Sequence, residues 1–271
     1  MEKGVESSSG ATRVMLWTYP RTRSLSVEFA MATQPNIAVH HELYYTAYLF
    51  GGNVDDDEND SDMGFTFNEV KKRLEVVDEG KSVVFAKDMA YSLEGNFHNL
   101  PKGFRHSFLI RNPEKSIASL YNVFCETESR RPEDRAVQMS GVGELYELYM
   151  LVKTKQKSTP LIIDSDDLIR FPGQILRKYC DKVGIKYNDT MLSWKRGKQK
   201  VAHWPEPLKD AAFMYEDAVN SSGFDYNLSS LGTLDTSKLP QSVITCMESC
   251  KPLYLDMWEN RIKPDTVETD I

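Results

Sequence analysis

No glycine stands between Ala11 and Phe50, so the first half-hundred residues hold no Gly-x-x-x-x-Gly-Lys-Ser/Thr loop of the kind that wraps nucleotide phosphates in kinases and hydrolases. Long apolar runs are missing as well. No stretch approaches the roughly 18 to 20 uninterrupted apolar residues of a membrane span, and Met1 to Gly10 has no apolar core. Neither signal peptide nor anchor is expected, and the default location is cytoplasmic. The four cysteines (Cys125, Cys180, Cys246, Cys250) include no Cys-x-x-Cys pair and no nearby histidine pair, which argues against a disulfide framework and against a metal site. They read as reduced thiols. Positive charge is in short supply: 33 basic against 40 acidic residues leave −7, which speaks against nucleic acid as a partner.

The acidic excess is local. Asp55 to Asp62 holds six acids in eight residues, and Asp265, Glu268 and Asp270 add more; without these two segments the chain is close to neutral. The run lacks the glycine and terminal glutamate of a calcium loop and reads as a solvated, mobile loop over 53–64. With 271 residues and 41% hydrophobic content, one full-sized core is expected over 13–262, between a flexible 1–12 segment and an acidic tail over 263–271.

Arg13 to Tyr19 is a short apolar run ended by Pro20, a buried strand entering a turn. Leu25, Phe29 and Ala32 then mark one face of a helix beginning at Ser24. Ile37–His41, Lys81–Met89, Phe104–Arg111 and Pro160–Asp164 read as further strands, and helical period marks Phe67–Asp78, Gly143–Lys157, Phe171–Val183 and a last helix near Gln241–Asn260. Pro113 suits a first helical turn, followed by the stripe Ile117, Leu120, Tyr121 and Phe124. Strands that are apolar throughout and alternate with helices imply an α/β fold, a doubly wound parallel sheet flanked by helices. The segments 42–66, 90–103 and 195–235 read as the loops that shape any pocket.

In such a fold the ligand crevice lies at the carboxyl ends of the strands. Pro20-Arg21-Thr22-Arg23-Ser24-Leu25-Ser26 puts hydroxyls and two guanidiniums at a helix start, an anion cradle in which backbone N–H groups and the helix dipole face the ligand. The bland reading is an N-cap at Ser24 with two surface arginines. Arg111-Asn112-Pro113 ends another strand, and Ser119 follows eight residues after Arg111, on the side of the helix away from its apolar stripe.

These two segments together resemble the sulfotransferases that use 3′-phosphoadenosine 5′-phosphosulfate, which share a P-loop NTPase-like fold. The resemblance extends through Lys87-Asp88-Met89-Ala90, Asp166-Asp167-Leu168, Phe171-Pro172 and Cys180 to Ile185, roughly Val14 to Trp194. It implies that Arg21, Thr22, Arg23, Ser24 and Leu25 hold the 5′-phosphosulfate and that Arg111 and Ser119 hold the 3′-phosphate. Lys195-Arg196-Gly197 is a rough counterpart of the family's late Arg-Lys-Gly, so Arg196 and Gly197 join the candidates to close over the 3′-phosphate, with Lys198 and Lys200 beside them and an exposed basic loop the bland alternative. Three departures stand out. Arg23 and Leu25 occupy places usually held by Gly or Cys and by Ser or Thr, and Met89 falls where many members carry a histidine base.

The implied reaction is in-line sulfuryl transfer, catalysed mostly by placement and charge. Arg21 would take up charge on the 5′-phosphate, and Lys87 would approach the bridging oxygen. No metal is required. For the base, Glu42 comes first, His41 second and Asp88 third, since the second strand ends in His40-His41-Glu42; the bland reading of this trio is a cap on the helix that follows. Trp17, Tyr44, Tyr45 and Trp204 are candidates to stack adenine or acceptor, with ordinary core the bland alternative, and His98 is a candidate to line the acceptor pocket, with a surface histidine the favoured reading. A small-molecule acceptor is implied, and a homodimer is left open. The competing readings are a homologue that binds adenosine 3′,5′-bisphosphate or a protein without turnover, and a nucleotide kinase.

Overall fold

The computed structural model describes residues 10–51, 65–156, 159–209, 215–224 and 235–265. The acidic segment 53–64, the first nine residues and the end of the acidic tail lie outside them. Five parallel strands form one sheet in the order β2-β3-β1-β4-β5: β1 Thr12–Thr18, β2 Ile37–His41, β3 Val83–Met89, β4 Arg105–Ile110 and β5 Leu161–Asp164. Helices cover both faces, so the side chains of β1 are buried alternately on either side, Val14 and Leu16 toward one layer and Met15 and Trp17 toward the other. The doubly wound α/β reading holds. Each fully buried aliphatic side chain contributes roughly 1.5 to 3 kcal/mol, and the double burial explains why the strands read as apolar runs rather than alternating ribbons.

On one face lie α1 (Ser24–Ala32) and α8 (Pro172–Val183), which pack Val27, Ala30, Met31, Ile175, Leu176 and Tyr179 against the sheet. On the other lie α2 (Leu43–Phe50), α3 (Phe67–Glu75), α4 (Pro113–Glu126), α6 (Val142–Gln156) and α11 (Gln241–Glu259). Between and beyond them come α5 (Pro132–Gln138), α7 (Ser165–Arg170), α9 (Glu206–Lys209) and α10 (Glu216–Asn220). Neighbouring strands β1 and β4 send their helices to opposite faces, α1 to one and α4 to the other. Their carboxyl ends therefore open a crevice, the switch point at which ligands of such sheets bind.

Local chemistry accounts for most boundaries. In α4, Pro113 sits in the first turn, and the Asn112 side chain accepts from the N–H of Glu114 at 2.9 Å. Thr66 and Glu69 form a reciprocal capping box at the start of α3, which ends at Glu75, so Val77 lies beyond the helix expected to reach Asp78. The segment 42–66, read as loop, contains α2. The start of the expected tail is docked: Asp265 pairs with Lys178 at 2.6 Å and its N–H donates to Gln174 Oε1 at 2.9 Å, while Thr12, expected to be flexible, opens β1. Among the described residues no helix is long and apolar enough to cross a membrane.

Across the crevice, the buried Tyr19 hydroxyl donates to the carbonyl of Arg111 and accepts from its N–H at 2.7 Å. Gly141 completes the corner. It adopts φ 69°, and a Cβ there would meet Tyr19 Cβ at 3.0 Å and the Tyr91 ring at 3.1 Å, so only glycine fits both conformation and space. Tyr19→Phe leaves a buried N–H unsatisfied and is expected to cost about 1–3 kcal/mol in urea unfolding. A change under about 0.5 kcal/mol, the scale of an inert surface substitution, would show that the contact ties nothing.

Candidate functional site

The turn Tyr19–Arg23 between β1 and α1 is built on strained backbone. Arg21 (φ 65°) and Arg23 (φ 63°) both adopt the left-handed conformation that glycine takes at little cost. Arg23 is the N-cap of α1 and makes no side-chain cap bond, so Ser24 is the first helical residue rather than the cap of the bland reading. An arginine forced into a glycine conformation at this place marks a site where the guanidinium matters more than local strain.

The turn and the α4 start meet. Arg21 Nε donates to Ser119 Oγ at 3.0 Å, and Arg111 Nη1 donates to the Arg21 carbonyl at 2.7 Å. Arg111 is 8% exposed, and its Nε is buried without a hydrogen-bond partner. Burial, reinforced by Arg23 and Arg21 nearby, pulls the Arg111 guanidinium down to about 10, although Asp166 opposes the shift. Asp166 also pairs with Lys115 at 2.6 Å and lies 3.8 Å from Arg23. Three converging guanidiniums with an orphaned buried donor fit a polyanion, whose charge would reverse the penalty on Arg111.

Other members of the expected cradle turn away from it. Thr22 is fully buried, and its hydroxyl bonds to Thr18 and, at 3.1 Å, to the Tyr19 carbonyl, holding the turn rather than facing a ligand. The Leu25 side chain packs with Phe29, Val201, Trp204 and Leu208, so only its backbone is available. Arg196 is exposed and acts on Lys200, while the Gly197 N–H bonds the Val219 carbonyl at 3.0 Å. Neither makes a described hydrogen bond to Arg21, Arg111 or Ser119. That region instead borders a separate cavity of about 440 Å³, lined by Phe29, Trp194, Lys195, Lys200 and His203 among others.

Beside the cradle, β2 and β3 end in a buried network of charges. Lys87 Nζ lies 2.5 Å from Glu42 Oε1 and 3.5 Å from Glu28 Oε2; Glu28 Oε2 also lies 2.7 Å from His41 Nδ1. Glu28 Oε1 accepts from Trp204 Nε1 at 2.8 Å and faces His203 Nε2 at 2.9 Å, and the Trp204 ring stacks on His41 at 3.8 Å. Burial would discharge Lys87, but Glu42 and Glu28 outweigh it and hold its pKa above the ordinary lysine value. Burial would likewise raise Glu28, and His41 and Lys87 reverse this and keep it well below the usual range. Burial lowers His41 against the pull of both glutamates. Lys87, expected to approach a bridging oxygen, is 1% exposed and held here between two carboxylates.

Glu42 is the N-cap of α2 at φ 46° and makes no side-chain cap bond. The cap comes from the next strand: Asp88 accepts from the N–H groups of Tyr44 (2.6 Å), Tyr45 (3.1 Å) and Met89 (2.9 Å). The His-His-Glu trio is thus not the helix cap of the bland reading, and Asp88, a candidate base, is that cap. Around Glu42 stands a rim of tyrosines. Tyr45, Tyr48 and Tyr91 pack edge-to-face or stacked at 5.9–6.3 Å, and Tyr215 lies close enough to Glu42, Tyr45 and Arg21 to feel their charges. Trp17 and Tyr44 are core, the former donating to His106 Nδ1 at 3.0 Å; His98 is exposed, as expected.

Glu28, His203, Tyr48, Tyr91 and Tyr215 escaped the sequence reading, whereas Tyr45 was among its aromatic candidates. A signal existed for Glu28: it falls three residues after Leu25 on the apolar face of α1, where an unpaired acid does not persist. His203 and Tyr215 carried none.

A family model described as sulfotransferase domain matches residues 12–252. Among solved structures, the sulfotransferase domain of the olefin synthase of Synechococcus PCC 7002 superposes with a TM-score of 0.55 at 13% identity, over 92% of this chain and 98% of that one. The sulfotransferase domain of the curacin biosynthetic pathway gives 0.52 at 11%, over 87% and 96%. Two curated relatives from Arabidopsis thaliana are similar in sequence. Branched-chain-amino-acid aminotransferase-like protein 2 is 29% identical over 88% of this chain and 40% of its own length, and protein 1 is 28% identical over 77% and 36%. The chain spans less than half the length of these relatives.

Removing one partner of the buried network leaves uncompensated charge. Glu28→Gln is expected to cost about 3–5 kcal/mol in urea unfolding, whereas Asp189→Asn, which breaks the exposed pair with Arg177, costs at most about 1 kcal/mol. Equal costs would show that the network is solvated. Burial, with the charge of Glu42, pushes Asp88 up to about 7 despite its backbone N–H bonds. A carboxyl with a raised pKa binds its proton more tightly folded than unfolded, so its contribution is full below about pH 4 and is lost as pH rises through about 7. Wild type minus Asp88→Asn stability is therefore expected to fall across that window. A flat difference would mean that Asp88 titrates as it does in the unfolded chain.

Proposed function

The chain belongs to the sulfotransferase domain family, and we propose that it transfers the sulfuryl group of 3′-phosphoadenosine 5′-phosphosulfate to a hydroxyl or amine of a small-molecule acceptor. The observation that carries this reading is the convergence of Arg21, Ser119 and Arg111, from segments about ninety residues apart or more, around a buried guanidinium nitrogen with no partner. That constellation suits a ligand with two separated anionic groups. Arg111 and Ser119 would hold the 3′-phosphate. Arg21 and the N–H groups at the start of α1 would hold the 5′ side and oppose the charge growing there, each well-placed donor contributing roughly 3 kcal/mol.

The donor supplies an electrophilic sulfur, and the chain's own groups do the rest. Glu42 accepts the acceptor's proton; Lys87 and His41 fix its carboxylate, and Glu28 fixes both of them. The rim of Tyr45, Tyr48, Tyr91 and Tyr215 receives the acceptor and keeps water from Glu42. A second reading, nucleotide binding without turnover, is favoured by one observation: Lys87 neutralises the carboxylate proposed as base, and Met89 replaces the histidine that could substitute for it.

Calorimetric titration with adenosine 3′,5′-bisphosphate distinguishes these readings. Micromolar binding is expected, weakened tenfold or more by both Arg111→Ala and Ser119→Ala. Absence of binding would overturn the cradle. In turnover assays, Glu42→Gln is expected to lower kcat by roughly 10² to 10⁴ with nucleotide affinity unchanged. Full activity in that variant would remove Glu42 as base, and tight nucleotide binding without turnover on any acceptor would favour the second reading.

A further inference from the structure

Two thiols stand one turn apart on α11, outside the site described above: half-buried Cys246 and buried Cys250. Cys250, and Ser140 just before α6, lie close enough to act on the ionisation of Cys246. The helix is weakened at this turn in two ways. Pro252 has no N–H to return to the Glu248 carbonyl, and the Ser249 hydroxyl takes the Cys246 carbonyl at 2.8 Å. Side chains at this spacing have Cβ atoms about 5–6 Å apart, against about 3.5–4.5 Å in a disulfide, so closure requires about 1–2 Å of movement. On its inner side Cys250 belongs to the same core cluster as Tyr19 and lies close enough to act on its phenol.

We propose that Cys246 and Cys250 form a dithiol site that hydroperoxides oxidise to a disulfide, and that closing this bond loosens the contact between Tyr19 and Arg111. The Cys246 thiolate attacks one peroxide oxygen: an S–O bond forms, the O–O bond breaks, and the departing oxygen takes a proton to leave as water or an alcohol. The sulfur of Cys250 then attacks the sulfenic sulfur, forming S–S and breaking S–O, and its thiol proton leaves with the hydroxyl as water. Two thiols are oxidised by two electrons, and one peroxide is reduced.

The division of roles follows from environment. The neighbouring Cys250, with help from Ser140, pulls the Cys246 thiol down to about 7 against burial and the Glu144 charge, while Cys250 is pushed up. Cys250 is shielded from direct attack by burial and sits where a resolving thiol is needed. Cys180 is buried and pushed up to about 12, which leaves it inert, and Cys125 is exposed on α4, a separate helix.

The test treats the reduced full chain with hydrogen peroxide, then counts thiols after denaturation and measures amide exchange over 105–112. Alkylatable thiols are expected to fall from four to two, with the tryptic peptide that carries both cysteines lighter by two hydrogens until reduced. Exchange over 105–112 is expected to quicken about tenfold. Cys246→Ser and Cys250→Ser each abolish both changes, and Cys125→Ser alters neither. Retention of free thiols at 246 and 250, over-oxidation of Cys246 without a bond, or a bond with unchanged exchange overturns the proposal. Neither readout uses a nucleotide, so its failure is distinct from failure of the sulfuryl-transfer reading; only the consequence, weaker nucleotide binding in the oxidised protein, rests on that reading.

Discussion

The hydroxyl of Tyr19, held between the N–H and C=O of Arg111, ties the end of β1 to the end of β4. Those strands are neighbours in the sheet, yet their helices leave toward opposite faces, so the sheet itself leaves an opening between them. The tyrosine fixes the width of that opening from below. Above it, Arg21 and Arg111 reach across to Ser119 and to each other's segment. A cradle formed this way is preorganised by buried hydrogen bonds rather than by a glycine loop, which explains how the chain manages without glycine between Ala11 and Phe50.

Beside the cradle the problem is different: five ionisable side chains are gathered where water is scarce. Buried charges persist only when paired and hydrogen-bonded, and here each glutamate serves more than one partner. Glu28 holds His41, His203, Trp204 and Lys87; Lys87 in turn holds Glu42. Asp88, close enough to feel Glu42 and Lys87, caps α2. The residues that look interchangeable as bases in the sequence thus have distinct surroundings: Glu42 pairs with Lys87, His41 with Glu28, and Asp88 with the backbone N–H groups of α2.

Backbone strain marks the same places. Arg21, Arg23 and Glu42 are left-handed, a conformation that costs a non-glycine residue of order 1–3 kcal/mol and survives only where the surroundings dictate it. All three lie at carboxyl ends of strands, and all three present charge. Glu94, Glu128 and Arg131 are left-handed as well, so strain accompanies these strand ends without singling them out.

The sequence alone determined the layers. Apolar runs in β1 to β5 read as strands buried on both faces, Pro113 and the Asn112 side chain fixed the start of α4, and the sequence placed Arg111 just before that helix and Ser119 within it. Local chemistry suffices for such features because periodicity and capping involve residues a few positions apart. Which candidates share a site was decided only in three dimensions. Thr22 and Leu25 sit inside the motif yet turn into the core, Lys87 is locked by an acid from α1, Asp88 on β3 caps α2, which begins far earlier at Leu43, and Tyr215 reaches the rim from far along the chain. Contacts between distant segments carry no periodic signature, since they depend on where the switch point brings strand ends together.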